Sequence, residues 1–130
     1  MTKFQLFLEN ARLLQKEYGI TPLLYGSVGL ERLTGEDIGA DDIDILIPCD
    51  LVFKRFAALK ALLEGNGYVL VDEREHTFVR DGIRYSYASI EELEAFAGIR
   101  IEDIKTYTDN DAAFLLLSLE QYLKVYERSV

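Results

Sequence analysis

The residues best suited to chemistry are a glycine–serine pair, Gly26-Ser27, and an alternating acidic pair, Asp42-Ile43-Asp44. Gly26-Ser27 falls where a short apolar run, Pro22 to Gly26, gives way to a helical pattern over Ser27 to Leu33. Glycine lets a ligand approach the backbone there. The helix that follows offers unpaired N–H groups and a positive dipole end to an anion such as a phosphate. Asp42 and Asp44 stand in the strand-like run Asp42-Ile43-Asp44-Ile45-Leu46-Ile47-Pro48. Residues two apart on a strand share a face, so both carboxylates project together while Ile43, Ile45 and Ile47 line the other side. Close carboxylates repel unless a proton or a cation intervenes. Hard oxygen ligands beside a phosphate-accepting turn are what a magnesium nucleotide requires. Each feature alone reads first as an ordinary turn or a solvated strand start; their order along the chain is what points to a site.

Charge and composition narrow the alternatives. The 130 residues carry 14 Lys+Arg against 23 Asp+Glu, a formal net charge of −9, with no basic stripe of the kind that neutralises phosphate backbones. Nucleic acid and anionic membrane surfaces are therefore not expected partners, whereas a small molecule or a protein is. An apolar fraction of 49% and a length of 130 residues fit one soluble domain over residues 1–130. No run reaches the roughly 20 apolar residues of a membrane span. The first residues lack the layout of a signal peptide, so the expected setting is the cytoplasm. One cysteine, Cys49, and one histidine, His76, exclude an internal disulfide framework and argue against a zinc site. Cys49, next to Pro48 at a strand end, is read as a small core residue, and His76 as structural.

The elements that must position the acids follow from patterning. Thr2 to Gln5 is a capping box opening a helix with a stripe of Phe4, Phe7, Leu8, Ala11, Leu14 and Tyr18, ended by Gly19. After the acidic strand, Asp50 is expected to cap a helix bearing Phe53, Phe56, Leu59 and Leu63. Tyr68 to Val71 reads as a strand. Thr77–Arg80 and Ile83–Tyr87 flank the tight-turn pair Asp81-Gly82, a hairpin pairing Thr77 with Ser86 and Val79 with Arg84. In that register Phe78, Ile83, Tyr85 and Tyr87 form the packed face, leaving Arg84 and Ser86 toward the acids. Ser89-Ile90-Glu91-Glu92 is a second capping box. After an irregular stretch, Ala113–Leu117 is either a last strand or an extension of the final helix, which Ser118 to Gln121 opens. The order predicts an α/β (α+β) domain with helices flanking a mixed sheet.

Leu24-Tyr25-Gly26-Ser27-Val28-Gly29 followed by Asp42-Ile43-Asp44-Ile45-Leu46-Ile47 resembles the Gly-Ser…Asp-x-Asp signature of the nucleotidyltransferase fold, the polymerase-beta-like superfamily. The likeness covers roughly residues 2 to 90 in element order, with the motif confined to 26–47. It implies transfer of a nucleoside monophosphate from a nucleoside triphosphate to an acceptor. Gly26 and Ser27 would hold the phosphates and Asp42 and Asp44 would bind Mg2+, with a third carboxylate on a later strand completing a two-metal site. This chain has Ser86 where that carboxylate is expected, and a serine hydroxyl is a much poorer magnesium ligand. Arg84 beside it could hold the triphosphate, pair with Asp42 or Asp44 in place of a metal, or be a solvated surface arginine. Glu73, Glu75 and Asp81 could supply the absent acid in another register, or serve only as charged strand edges. Three readings are therefore weighed: nucleotidyl transfer to a small-molecule or protein acceptor, an inactive homologue that binds a partner as an antitoxin-like protein, or a plain α/β domain whose acids are merely solvated.

Overall fold

The computed structural model describes residues Met1–Ser129. The chain runs α1 (Lys3–Tyr18), β1 (Leu23–Tyr25), α2 (Gly26–Thr34), β2 (Ile43–Ile47), α3 (Cys49–Val52), α4 (Phe56–Glu64) and β3 (Val69–Asp72). Then come β4 (Thr77–Arg80), β5 (Ile83–Ser89), α5 (Glu92–Ala97), a 3-10 turn at Ile101–Asp103, β6 (Lys105–Asp109), β7 (Ala112–Leu116) and α6 (Leu119–Ser129). Seven strands form one sheet in the order β3-β4-β5-β2-β1-β7-β6. The β2–β5 and β1–β7 pairs are parallel and the others antiparallel, so the sheet is mixed and the fold is α+β. Among the described residues no helix is long and apolar enough to cross a membrane.

Side-chain alternation gives the sheet two apolar faces. On one, Leu24, Ile43, Ile45, Ile47, Phe78, Tyr85, Tyr87 and Phe114 pack beneath α1 and α4, represented by Phe7, Leu14, Leu59 and Leu63. On the other, Leu23, Leu46 and Leu115 pack against Leu93 of α5 and Tyr122 and Val125 of α6. The acids follow the second set. Asp44 and Leu46 share a face, while the isoleucines of β2 are wholly buried on the opposite side.

Two of the expected capping boxes form. Thr2 and Gln5 exchange backbone-to-side-chain hydrogen bonds, as do Ser118 and Gln121. The hairpin register is the expected one, Thr77 opposite Ser86 and Val79 opposite Arg84. Four expectations need correction. The helix after β2 is broken into α3 and α4, with Phe53 exposed at the break; Asp50 pairs with Arg55 instead of capping. Ser89 opens no capping box, because the β2–β5 ladder extends through it and Glu91 accepts the backbone N–H of Cys49. Cys49 is half-buried at the start of α3, outside the core. The stretch before Ala112 contains a strand, β6, hairpinned to β7 through Asn110 and Asp111, both in the left-handed region.

Candidate functional site

Three neighbouring strands carry the site. Parallel pairing sets Asp44 of β2 beside Ser86 of β5, and antiparallel pairing sets it beside Tyr25 of β1. Tyr25, Asp44 and Ser86 thus form one row across the sheet, with Thr77 of β4 opposite Ser86. The two hydroxyls of Thr77 and Ser86 lie 2.8 Å apart in a hydrogen bond. Along the strands the next row is apolar, Leu46 beside Ala88. Helix α5 rises over it, and the space between is a cleft of about 430 Å³ whose walls include Tyr25, Asp44, Ser86, Glu92 and Phe96, together with Glu75 from the β3–β4 turn. The charged residues among the walls are all acidic.

The glycine–serine turn meets this row at one point. Gly26 has φ +63°, and a Cβ there would collide with the Asp44 carboxylate. Only glycine combines this backbone conformation with so close an approach. Gly26 is also the first residue of α2, whose N-cap Tyr25 gives no side-chain capping bond. The orphan N–H groups of the first turn therefore remain available beside Asp44. Ser27 is exposed on that turn. Asp42 is exposed just before β2 and is close enough to act on Asp44. Burial first, and then the negative charge of Asp42, push the Asp44 carboxyl above the usual carboxylate range.

The structure therefore brings Gly26 against Asp44 and sets Ser86 beside Asp44, while Gly26 and the exposed Ser27 and Asp42 are not among the walls of the cleft. Arg84 stands apart. It is exposed, two residues toward the start of β5 from Ser86, and is not among the walls of the cleft. Among the described residues it forms no ion pair with Asp42 or Asp44. No group of three or more His, Cys, Asp or Glu side chains able to hold a metal occurs among the described residues. Glu75 reaches the cleft but adds no third ligand to the pair. His76 packs edge-on against Phe56, with ring centroids 4.8 Å apart.

The reading from local patterning missed one contact. Tyr122 of α6 is buried and donates its hydroxyl to the Gly26 carbonyl oxygen at 3.1 Å. Its hydroxyl fills the place where a side chain at Gly29 would sit. The local signal would have been a glycine inside an otherwise helical pattern, which marks a close approach.

Comparison with known proteins adds lineage. The chain is 37% identical over 130 residues, covering all of it and 83% of the relative, to Uncharacterized protein YnaI of Bacillus subtilis (strain 168). It belongs to the YnaI family. No family model matches the chain, and no solved structure matches it. The geometry of the cleft is therefore the basis for reading what this member of the YnaI family does.

Proposed function

We propose that this chain is a nucleotidyltransferase-like protein that binds a magnesium nucleotide between the Gly26–Ser27 turn and the Asp42/Asp44 pair. The observation that carries the reading is the contact of Gly26 with the Asp44 carboxylate. It joins a helix N-terminus suited to phosphate with a strand acid suited to a cation. The donor set fits one magnesium ion: magnesium is commonly bound through one or two carboxylates plus substrate phosphates. Asp42 and Asp44 would hold it, and it would supply charge neutralisation at the phosphates. The acidic cleft makes such a cation necessary for an anionic guest. In active form, an acceptor oxygen would bond to the α-phosphorus as the bond to pyrophosphate breaks and the acceptor loses its proton. A small molecule or a protein is the acceptor class; the net charge of −9 disfavours nucleic acid. A cytoplasmic setting accords with this reading.

Calorimetric titration with the four ribonucleoside triphosphates tests it. Binding is expected for at least one, only with Mg2+ present, and lost in Asp44→Asn. Absence of binding, or binding indifferent to Asp42→Asn and Asp44→Asn, would remove the reading.

A second reading, an inactive homologue that binds a partner in antitoxin-like fashion, is favoured by Ser86. It stands beside Asp44 in register and is hydrogen-bonded to Thr77 where a third carboxylate would complete a two-metal site. Transfer of label from an α-labelled triphosphate, abolished by Asp44→Asn, would defeat this second reading.

A further inference from the structure

We infer that Tyr122, on the C-terminal helix, is a positioning residue that sets the phosphate-binding turn of α2 against Asp44. The inference rests on the nucleotide reading above and adds a residue outside the Gly-Ser and Asp-x-Asp segments.

Three observations converge on the phenol. Its hydroxyl donates to the Gly26 carbonyl at 3.1 Å. That hydroxyl occupies the volume a Cβ at Gly29 would need, so a glycine one helical turn into α2 is what lets α6 approach. The ring is 1% exposed and belongs to the apolar cluster between the sheet and α5–α6, so its position is set by packing on several sides. Burial pushes the hydroxyl's ionisation well above the ordinary tyrosine value, which keeps it a donor at neutral pH. The first turn of α2 is thus held by a side chain distant in sequence, where a capping side chain would ordinarily hold it. Tilting that turn would move its orphan N–H groups relative to the Asp44 carboxylate, which abuts Gly26. A phosphate held jointly by the turn and a cation on Asp44 is sensitive to that displacement.

The test compares Tyr122→Phe, which keeps the ring and removes only the donor, with Tyr126→Phe. Tyr126 stacks on Tyr122 at a centroid distance of 6.2 Å but forms no bond to the turn. Affinity for each of the four magnesium ribonucleoside triphosphates is measured on the whole chain, beside melting temperature and backbone amide exchange. Tyr122→Phe is expected to weaken binding roughly tenfold, on the scale of one hydrogen bond. It should also speed exchange at residues 26–29 while the melting temperature stays within a few degrees. Tyr126→Phe should change neither affinity nor exchange. Unchanged affinity in Tyr122→Phe, with binding still lost in Asp44→Asn, would overturn the positioning role and leave the nucleotide reading standing. Absence of nucleotide binding by the unmodified chain would overturn both.

Discussion

Asp44 is an acid that the fold holds at a cost. Its folded-state pKa is raised above 3.8 by burial and by Asp42, so folding favours its protonated form. The sign of the linkage follows. Below the unfolded value the group is neutral in both states. As pH rises through the raised folded value, ionisation subtracts from stability, and the penalty persists at neutral pH. Asp44→Asn, nearly isosteric and uncharged, is therefore expected to raise the melting temperature at pH 7 by roughly 2–4 °C. In the unmodified chain, affinity should fall on acidification with a midpoint above 3.8. Thermal melts and titrations across pH read both effects. A lower melting temperature for the variant would mean that neighbouring donors stabilise the carboxylate. At this scale the closeness of Gly26 to Asp44 was legible from residue type and chain order, whereas Asp42 lies exposed before β2, outside the alternation expected to set it on one face with Asp44. Tyr122 was not legible, because its partners Gly26 and Gly29 lie far away in sequence and only packing of α6 brings them together.

Elements were legible where local hydrogen bonds decide them and obscure where the sheet does. The Thr2 and Ser118 capping boxes close within four residues and form as read. Ser89 has the same local pattern, yet the parallel ladder with Ile47 claims its backbone and keeps it in strand. Strand β6 was hidden because its turn uses Asn110-Asp111, with both residues at positive φ, where glycine would have marked the turn. The β2–β5 register supports a direct test of what this row of side chains can gather. Ser86→Asp sets a carboxylate beside Asp44 and removes the bond to Thr77. Without metal it should lower the melting temperature by roughly 3–6 °C through repulsion and the lost hydrogen bond. Millimolar Mn2+ should recover at least half of that loss, while leaving Asp44→Asn unmoved. A variant indifferent to metal would show that this strand face does not assemble carboxylates around a cation.

Over the whole molecule, the charge works against the guest proposed for the cleft. The chain carries −9, and the charged residues walling the cleft are acidic. A magnesium nucleoside triphosphate is itself net negative, so it meets a repulsive field during approach and favourable contacts only at the turn and the cation. Long-range repulsion is screened by salt, whereas short-range contacts in a partly buried site are screened much less. The Debye length shrinks from about 30 Å at 0.01 M to about 8 Å at 0.15 M, a change spanning the dimensions of a domain this size. The association rate of a fluorescent magnesium nucleotide should therefore rise, roughly two- to threefold, as sodium chloride is raised over that range at fixed free Mg2+. Dissociation should change little, since it reports the local contacts. Stopped-flow mixing separates the two rates. A rate that falls with salt would require a basic approach path, and exposed Arg84 on the site's face of β5 would be its first candidate; Arg84→Ala would then flatten the salt dependence.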